Sequence, residues 1–164
     1  MQKALDFRAE LMEAGACEYS LNMTVEQGER VYTFEGSCNY HCDQGATIVL
    51  TEPEALSGIC FEVDEQGATV SLEKVSVEVG PIAGRRIQPL EVPYLLGECW
   101  TSAYIEACGA DENGNLIIYA SGYGTDQFFV HTRLDDDTGL PVVWEIYYED
   151  TRILYGEIQN FSFV

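Results

Sequence analysis

The sequence predicts an α+β fold of about ten antiparallel strands and two helical segments. Three observations carry that expectation. Apolar and polar residues alternate with period two, and Gly-, Asn- or Asp-bearing turns punctuate the alternation about every 8–12 residues. Near Pro89 the period switches to 3.6 for one stretch. The composition, 46% apolar and 22% charged over 164 residues, suits a packed core in one domain spanning residues 1–164.

At the front, Leu5, Phe7, Ala9 and Met12 suggest a short helix over residues 4–13, ended by Gly15. Cys17, Tyr19, Leu21, Met23 and Val25 then alternate with Glu18, Ser20, Asn22, Thr24 and Glu26, giving a strand with one dry and one wet face. A break at Gln27-Gly28-Glu29 leads to a second strand over residues 30–40. Asp43-Gln44-Gly45 opens a third over 46–51, which Pro53 ends. Ile59, Phe61 and Val63 mark the fourth strand. Val70 with Leu72, then Val75, Val77 and Val79, complete a six-strand meander.

Val92, Leu95, Leu96, Cys99, Trp100 and Ala103 fall at i, i+3, i+4, i+7, i+8 and i+11, one stripe of an amphipathic helix. Pro93 suits its first turn. Residues 104–108 fit either an extension of that helix or a strand. Asn113-Gly114 favours the strand, paired with 116–121 through a type I′ turn. Strands over 127–134, 142–149 and 152–163 close the chain.

Eight basic against 28 acidic residues give a net charge of −20. Such a field repels phosphate backbones, so nucleic acid is excluded as a partner, as is a basic patch for anionic lipid. No apolar run reaches 18 residues. The opening residues 1–7 contain no apolar signal segment.

The residues that bear chemistry read as structural. His41 and His131 are the only histidines, and no Gly-x-Ser-x-Gly elbow accompanies them. Cys38, His41 and Cys42 supply three zinc-ligand types without a second pair at matching spacing. Counted from Asp111, the calcium-loop positions six and twelve are Leu116 and Gly122, so that pattern fails. Gly122-Tyr123-Gly124-Thr125-Asp126-Gln127 lacks the third glycine of a dinucleotide loop. Neither a metal nor a cofactor is expected. Six cysteines permit a disulfide framework, or equally a set of buried thiols. Nineteen aromatics, 7 Phe, 10 Tyr and 2 Trp, sit largely on strand positions. Two short helices would cover so broad an apolar face incompletely, leaving a cavity for an apolar ligand.

Two stretches resemble the bacterial LolA-like and LppX-like lipoprotein-carrier superfamily. One is Thr51-Glu52-Pro53-Glu54-Ala55-Leu56-Ser57-Gly58-Ile59-Cys60-Phe61, similar to a Pro-x-x-Leu-x-Gly segment before a strand. The other is Thr138-Gly139-Leu140-Pro141, with the closing strand Ile158-Gln159-Asn160-Phe161-Ser162-Phe163. With the order helix, meander, helix, hairpins, the resemblance spans nearly the whole chain. It implies an unclosed antiparallel β-barrel wrapped on helices, outside the cytoplasm, that binds or transports a lipid, a lipoprotein acyl chain or another hydrophobic ligand. It further implies a non-enzymatic monomer anchored to the membrane through an N-terminal lipoprotein segment, although none of the six cysteines here sits in a lipobox. The residues expected to line the apolar face are Leu21, Met23, Ile59, Phe61, Leu96, Trp100, Trp144 and Ile146. The competing expectation is a cell-surface interaction module whose interior is filled by these same side chains.

Overall fold

The computed structural model describes residues 1–79, 88–121 and 128–164. Helix α1 (Gln2–Ala14) is followed by β1 (Ala16–Gln27), β2 (Arg30–His41), β3 (Gly45–Glu52), β4 (Cys60–Asp64), β5 (Gly67–Leu72) and β6 (Val75–Val79). A single 3₁₀ turn (Pro89–Glu91) runs into α2 (Val92–Thr101). Then come β7 (Ile105–Ala110), β8 (Leu116–Ser121), β9 (Phe128–Leu134), β10 (Pro141–Tyr148) and β11 (Thr151–Phe163).

All eleven strands join one antiparallel sheet in the order β6-β5-β4-β3-β2-β1-β11-β10-β9-β8-β7. Two meanders therefore meet where β1 pairs with β11. The chain leaves one edge at β6 and returns at the other edge at β7, with α2 between. Among the described residues β6 and β7 do not pair, so the barrel is unclosed. This is the α+β architecture expected from the sequence, with residues 104–108 resolved in favour of a strand.

Alternation decides which face is buried. On β1, Cys17, Tyr19, Leu21 and Met23 are buried. Their neighbours across β2 and β3 are Cys38 and Tyr40, then Ala46, Ile48 and Leu50. On the other wing, Ile118, Val130, Leu134, Trp144 and Ile146 do the same. Strand β11 keeps its inward face by breaking phase. Leu154 and Ile158 point inward on even numbers, Asn160 takes a left-handed φ of 54°, and Phe161 and Phe163 then pack against the core on odd numbers. The register against β1 shifts at that point, between Glu18 and Ser20, as one extra residue in a bulge requires.

Both helices lie on this inner face. Helix α1 is oriented differently from the sequence expectation. It buries Ala4, Phe7 and Leu11, while Leu5 is 44% and Met12 60% exposed. The aromatic at position 7 docks on Trp100 and so sets the rotation of the helix. Gly15 ends α1 at φ 80°, its N–H donating to the Leu11 carbonyl at 2.9 Å. Helix α2 presses its backbone on β2. A Cβ built on Gly97 would stand 2.2 Å from the Tyr40 ring, so only glycine permits this approach.

Two local expectations are corrected, and the open choice between disulfides and free thiols is resolved. Ile59 precedes β4 instead of lying in it, because the turn through residues 54–58 delivers the chain into the strand only at Cys60. The Asn113-Gly114 turn is not type I′. Gly114 alone has positive φ (85°) and donates to the Asp111 carbonyl, while the Asp111 carboxylate caps the N–H groups of Asn113 and Asn115. All six cysteines are free thiols. The Gly122–Gln127 glycine run, and Gln127 as the start of a strand, lie outside the described residues.

Replacing Gly97 by Ala tests the α2–β2 contact. Helix propensity favours alanine by about 1 kcal/mol, but the Tyr40 ring is fully buried and tethered, so overpacking of about 1–3 kcal/mol wins. Urea denaturation of Gly97→Ala is expected to show a lower midpoint, and Tyr40→Leu in the same chain should relieve part of the loss.

Candidate functional site

The candidate site is the packed apolar interface between the inner face of the sheet and the two helices. Strand alternation delivers Leu21 and Met23 from β1, Phe61 from β4, and Trp144 and Ile146 from β10, all at most 6% exposed. Helix α2 contributes Leu96 and Trp100 from its apolar stripe. Ile59 is half-buried and packs on the edge of the same cluster. The structure thus brings seven of the eight expected residues into one buried cluster, with the eighth at its border.

Trp100 is the centre of this arrangement. Its ring meets Phe7 of α1 at 5.7 Å, Tyr19 of β1 at 5.6 Å and Phe161 of β11 at 6.0 Å between centroids, in edge-to-face geometries. Its indole N–H donates to Thr132 Oγ1 at 3.0 Å, on the strand position paired with Trp144. Arg8 fixes the end of α2. Its Nε donates to the Trp100 carbonyl at 2.7 Å, and its Nη2 donates to the carbonyls of Cys99 and Ala103 at 3.0 and 2.9 Å. A cation placed on the last carbonyls of a helix also complements the helix dipole. Tyr40 does a similar job from below, its hydroxyl lying 3.0 Å from Glu98 Oε1 and 3.2 Å from Thr101 Oγ1.

Three buried polar atoms in or beside this interface have no hydrogen-bond partner among the described residues: Tyr19 Oη, Trp144 Nε1 and Glu91 Oε1. Tyr19 and Trp144 belong to the inner face itself. Glu91 sits at the start of α2, its other oxygen accepting the Gln88 N–H at 3.1 Å. Burial raises the Glu91 carboxyl above the usual carboxylate range, against the lowering effect of that hydrogen bond. The thiols here are inert. Burial, aided by Cys42 and Glu18, pushes Cys17 up to about 12. Cys99 also rises to about 12 through burial and the charge of Glu98, offset in part by Arg8. Cys38 rises further by burial and the neighbouring Cys17. Protonated thiols pack as small hydrophobes and are poor nucleophiles.

The remaining residues of chemical interest do not converge on this space. Cys38 faces inward on β2 while His41, three positions on, belongs to the opposite face, so they cannot share a metal ion. No group of three potential metal ligands occurs among the described residues. His131 lies on the outer face between Tyr119 and Tyr147, with ring centroids 4.6 and 4.5 Å away, and burial lowers its pKa. Sequence reasoning missed Arg8 and the roles of Phe161 and Phe163. The aromatic pair was visible as a motif, but its face depends on the bulge at Asn160. No pattern in the sequence marks Arg8.

No protein-family model matches the chain, and no curated protein does. Solved structures do. A LolA superfamily protein from Nitrosomonas europaea superposes with a TM-score of 0.53, covering 98% of this chain and 90% of that one at 10% identity. The fold is LolA-like. A putative outer membrane lipoprotein-sorting protein domain from Vibrio parahaemolyticus gives 0.52 over 99% and 91% at 13% identity. A DUF1329 family protein from Desulfovibrio piger gives 0.55 over 99% and 92% at 10% identity. At such identities the likeness is one of fold, in agreement with the strand order and the two inner helices.

The buried Glu91 carboxyl generates a pH test. Its folded pKa is raised, so its favourable contribution is fully present below the ordinary carboxylate pKa. That contribution is lost as pH rises through the folded value, above which a buried charge opposes folding. Glu91→Gln keeps an acceptor for the Gln88 N–H. Thermal melts should find the variant more stable than the parent at neutral pH, with the advantage gone by about pH 4. Equal melting temperatures at both pH values would remove the buried charge from the account.

Proposed function

We propose that this protein binds an acyl chain or another hydrophobic ligand, without chemistry, between the inner face of its sheet and its two helices. The observation that carries the reading is the combination of an almost wholly apolar inner face with two donors on it, Tyr19 Oη and Trp144 Nε1, that no atom of the described residues satisfies. A buried donor without a partner costs about 1–3 kcal/mol. A lipid supplies apolar surface for the Leu, Ile, Phe and Trp side chains together with ester or acid oxygens for those donors. Burial raising the thiols, and the separation of His41 and His131 from the inner face, support binding over catalysis. We further propose one domain over residues 1–164, a monomer, acting outside the cytoplasm, as the description of the lipoprotein-sorting domain with the same fold suggests. Attachment through a lipoprotein segment belongs to the same proposal; no helix among the described residues is long and apolar enough to cross a membrane.

A second reading, a protein-interaction module with a filled interior, is favoured by the depth at which seven of the eight residues lie. Trp144, Ile146 and Leu96 are 0% exposed. The two readings part on uptake. Native mass spectrometry before and after organic extraction is expected to reveal a carried acyl species. The extracted protein should take up palmitate or phosphatidylglycerol with a change in the emission of Trp100 and Trp144. Trp144→Phe, which removes the orphan donor and keeps most of the ring, should weaken that uptake while the chain still folds. An unloaded mass, with no uptake on titration, would move the assignment to the interaction module.

A further inference from the structure

The outer face of the sheet is not uniform. Over β1 to β5 it carries the polar row expected of a wetted surface, including Glu18, Ser20, Glu35, Ser37, Thr47 and Glu62. Over β8 to β10 it changes character, and an open groove of about 260 Å³ is found there. Two cross-strand rows build it. Ile117, Arg133 and Val143 are in register across the three strands, and so are Tyr119, His131 and Glu145 one step along. Tyr147 completes the second wall by packing on His131 at 4.5 Å.

The charged groups of the groove differ in how far they are committed. Glu145 accepts from Arg152 Nη1 at 3.0 Å and from the Tyr147 hydroxyl at 3.5 Å. The Asp111 carboxylate accepts from the Asn113 and Asn115 backbone N–H groups, both at 2.9 Å, and from Asn115 Nδ2 at 3.1 Å. Arg133 approaches Asp111 through Nε at 3.1 Å, at an angle that makes no hydrogen bond. Its two terminal nitrogens make no hydrogen bond among the described residues. In a chain with 28 carboxylates and eight basic side chains, this guanidinium fork remains open, in a groove lined also by Ile117, Val143 and the Tyr119, His131 and Tyr147 rings.

The geometry points to a second binding site on this outer face, for a carboxylate that carries an apolar, ring-sized body. A planar fork pairs with a planar carboxylate through two parallel hydrogen bonds. The apolar body would lie against Tyr119, His131 and Tyr147 and the Val143 side chain. The volume falls just below that of drug-sized pockets, which limits the occupant to about one ring and its acid group. A phosphate dianion fits less well, because its second charge meets both Asp111 and Glu145 within a field of −20. A free aromatic acid and the C-terminal residue of a peptide share the required chemistry.

The test is a ¹⁵N-resolved NMR titration of the full chain, including Arg side-chain Nε–H signals, with three probes. Phenylacetate represents the free acid, N-acetyl-glycyl-phenylalanine the peptide terminus, and phenylacetamide the same ring without charge. Shifts are expected at Tyr119, His131, Arg133 and Tyr147, with at least one acid binding about tenfold more tightly than the amide. Whichever acid binds more tightly identifies the source. Arg133→Gln should weaken the acid about tenfold and leave the amide unchanged. Val143→Trp, which fills the groove beside Arg133 and keeps its charge, should abolish both responses. Absence of shifts from either acid, shifts located elsewhere, or an amide that binds as well as the acids would overturn the proposal.

Discussion

A sheet that buries one face along eleven strands needs a roof, and here two short helices supply it. Neither helix is long enough to be stable alone, so each depends on where it is pinned. The pin is shared. Trp100 hangs from α2 into a ring of Phe7, Tyr19 and Phe161, while Arg8 of α1 collects the carbonyls of Cys99, Trp100 and Ala103 at the end of α2. One contact thus joins α1, α2, β1, β11 and, through Thr132, β9. It spans the seam where the two meanders meet. Losing a buried Trp or Phe costs about 3–5 kcal/mol in an ordinary core, and here the loss would also free both helices from the seam.

Local pattern was sufficient for most of the fold because the strands are half-buried. In β1, β3 and β10 the inward residues are simply every second one, and nothing tertiary has to be known to read them. The failures have physical causes. In β11 the period breaks at Asn160, and a bulge of one residue cannot be distinguished in a sequence from a change of face. In α1, Leu5 and Met12 are as apolar as Phe7 and Leu11, so the choice between faces is made by the docking of Phe7 on Trp100. In the 111–115 turn, Asp111 offers its carboxylate to two backbone N–H groups and thereby selects a wider turn than Asn-Gly alone would.

The candidate site was legible for the same reason as the strands, and its limits follow from that reason. Leu21, Met23, Phe61, Trp144 and Ile146 were found because they alternate inward. Alternation reports that a side chain leaves water, not what it meets when it does. A residue facing a helix and one facing an acyl chain obey the same pattern. Arg8 illustrates the opposite case. Its three acceptors are main-chain carbonyls some 90 residues away, so no pattern of side chains in the sequence could announce it.

Polar atoms discriminate where apolar ones do not. Tight apolar packing is compatible with a closed core and with a collapsed ligand site alike, because side chains close over space when no ligand holds them apart. A donor has no such freedom. Trp100 and Trp144 carry the same indole N–H within one cluster, and Thr132 lies beside both, paired across the strands with Trp144 and bonded to Trp100. The first donor is satisfied inside the protein and the second is not. A core evolved only for stability would gain from exchanging Trp144 for Phe, which keeps most of the ring and removes the orphan. In the proposed reading, an oxygen arriving from outside the chain, with the apolar body attached to it, would satisfy that donor.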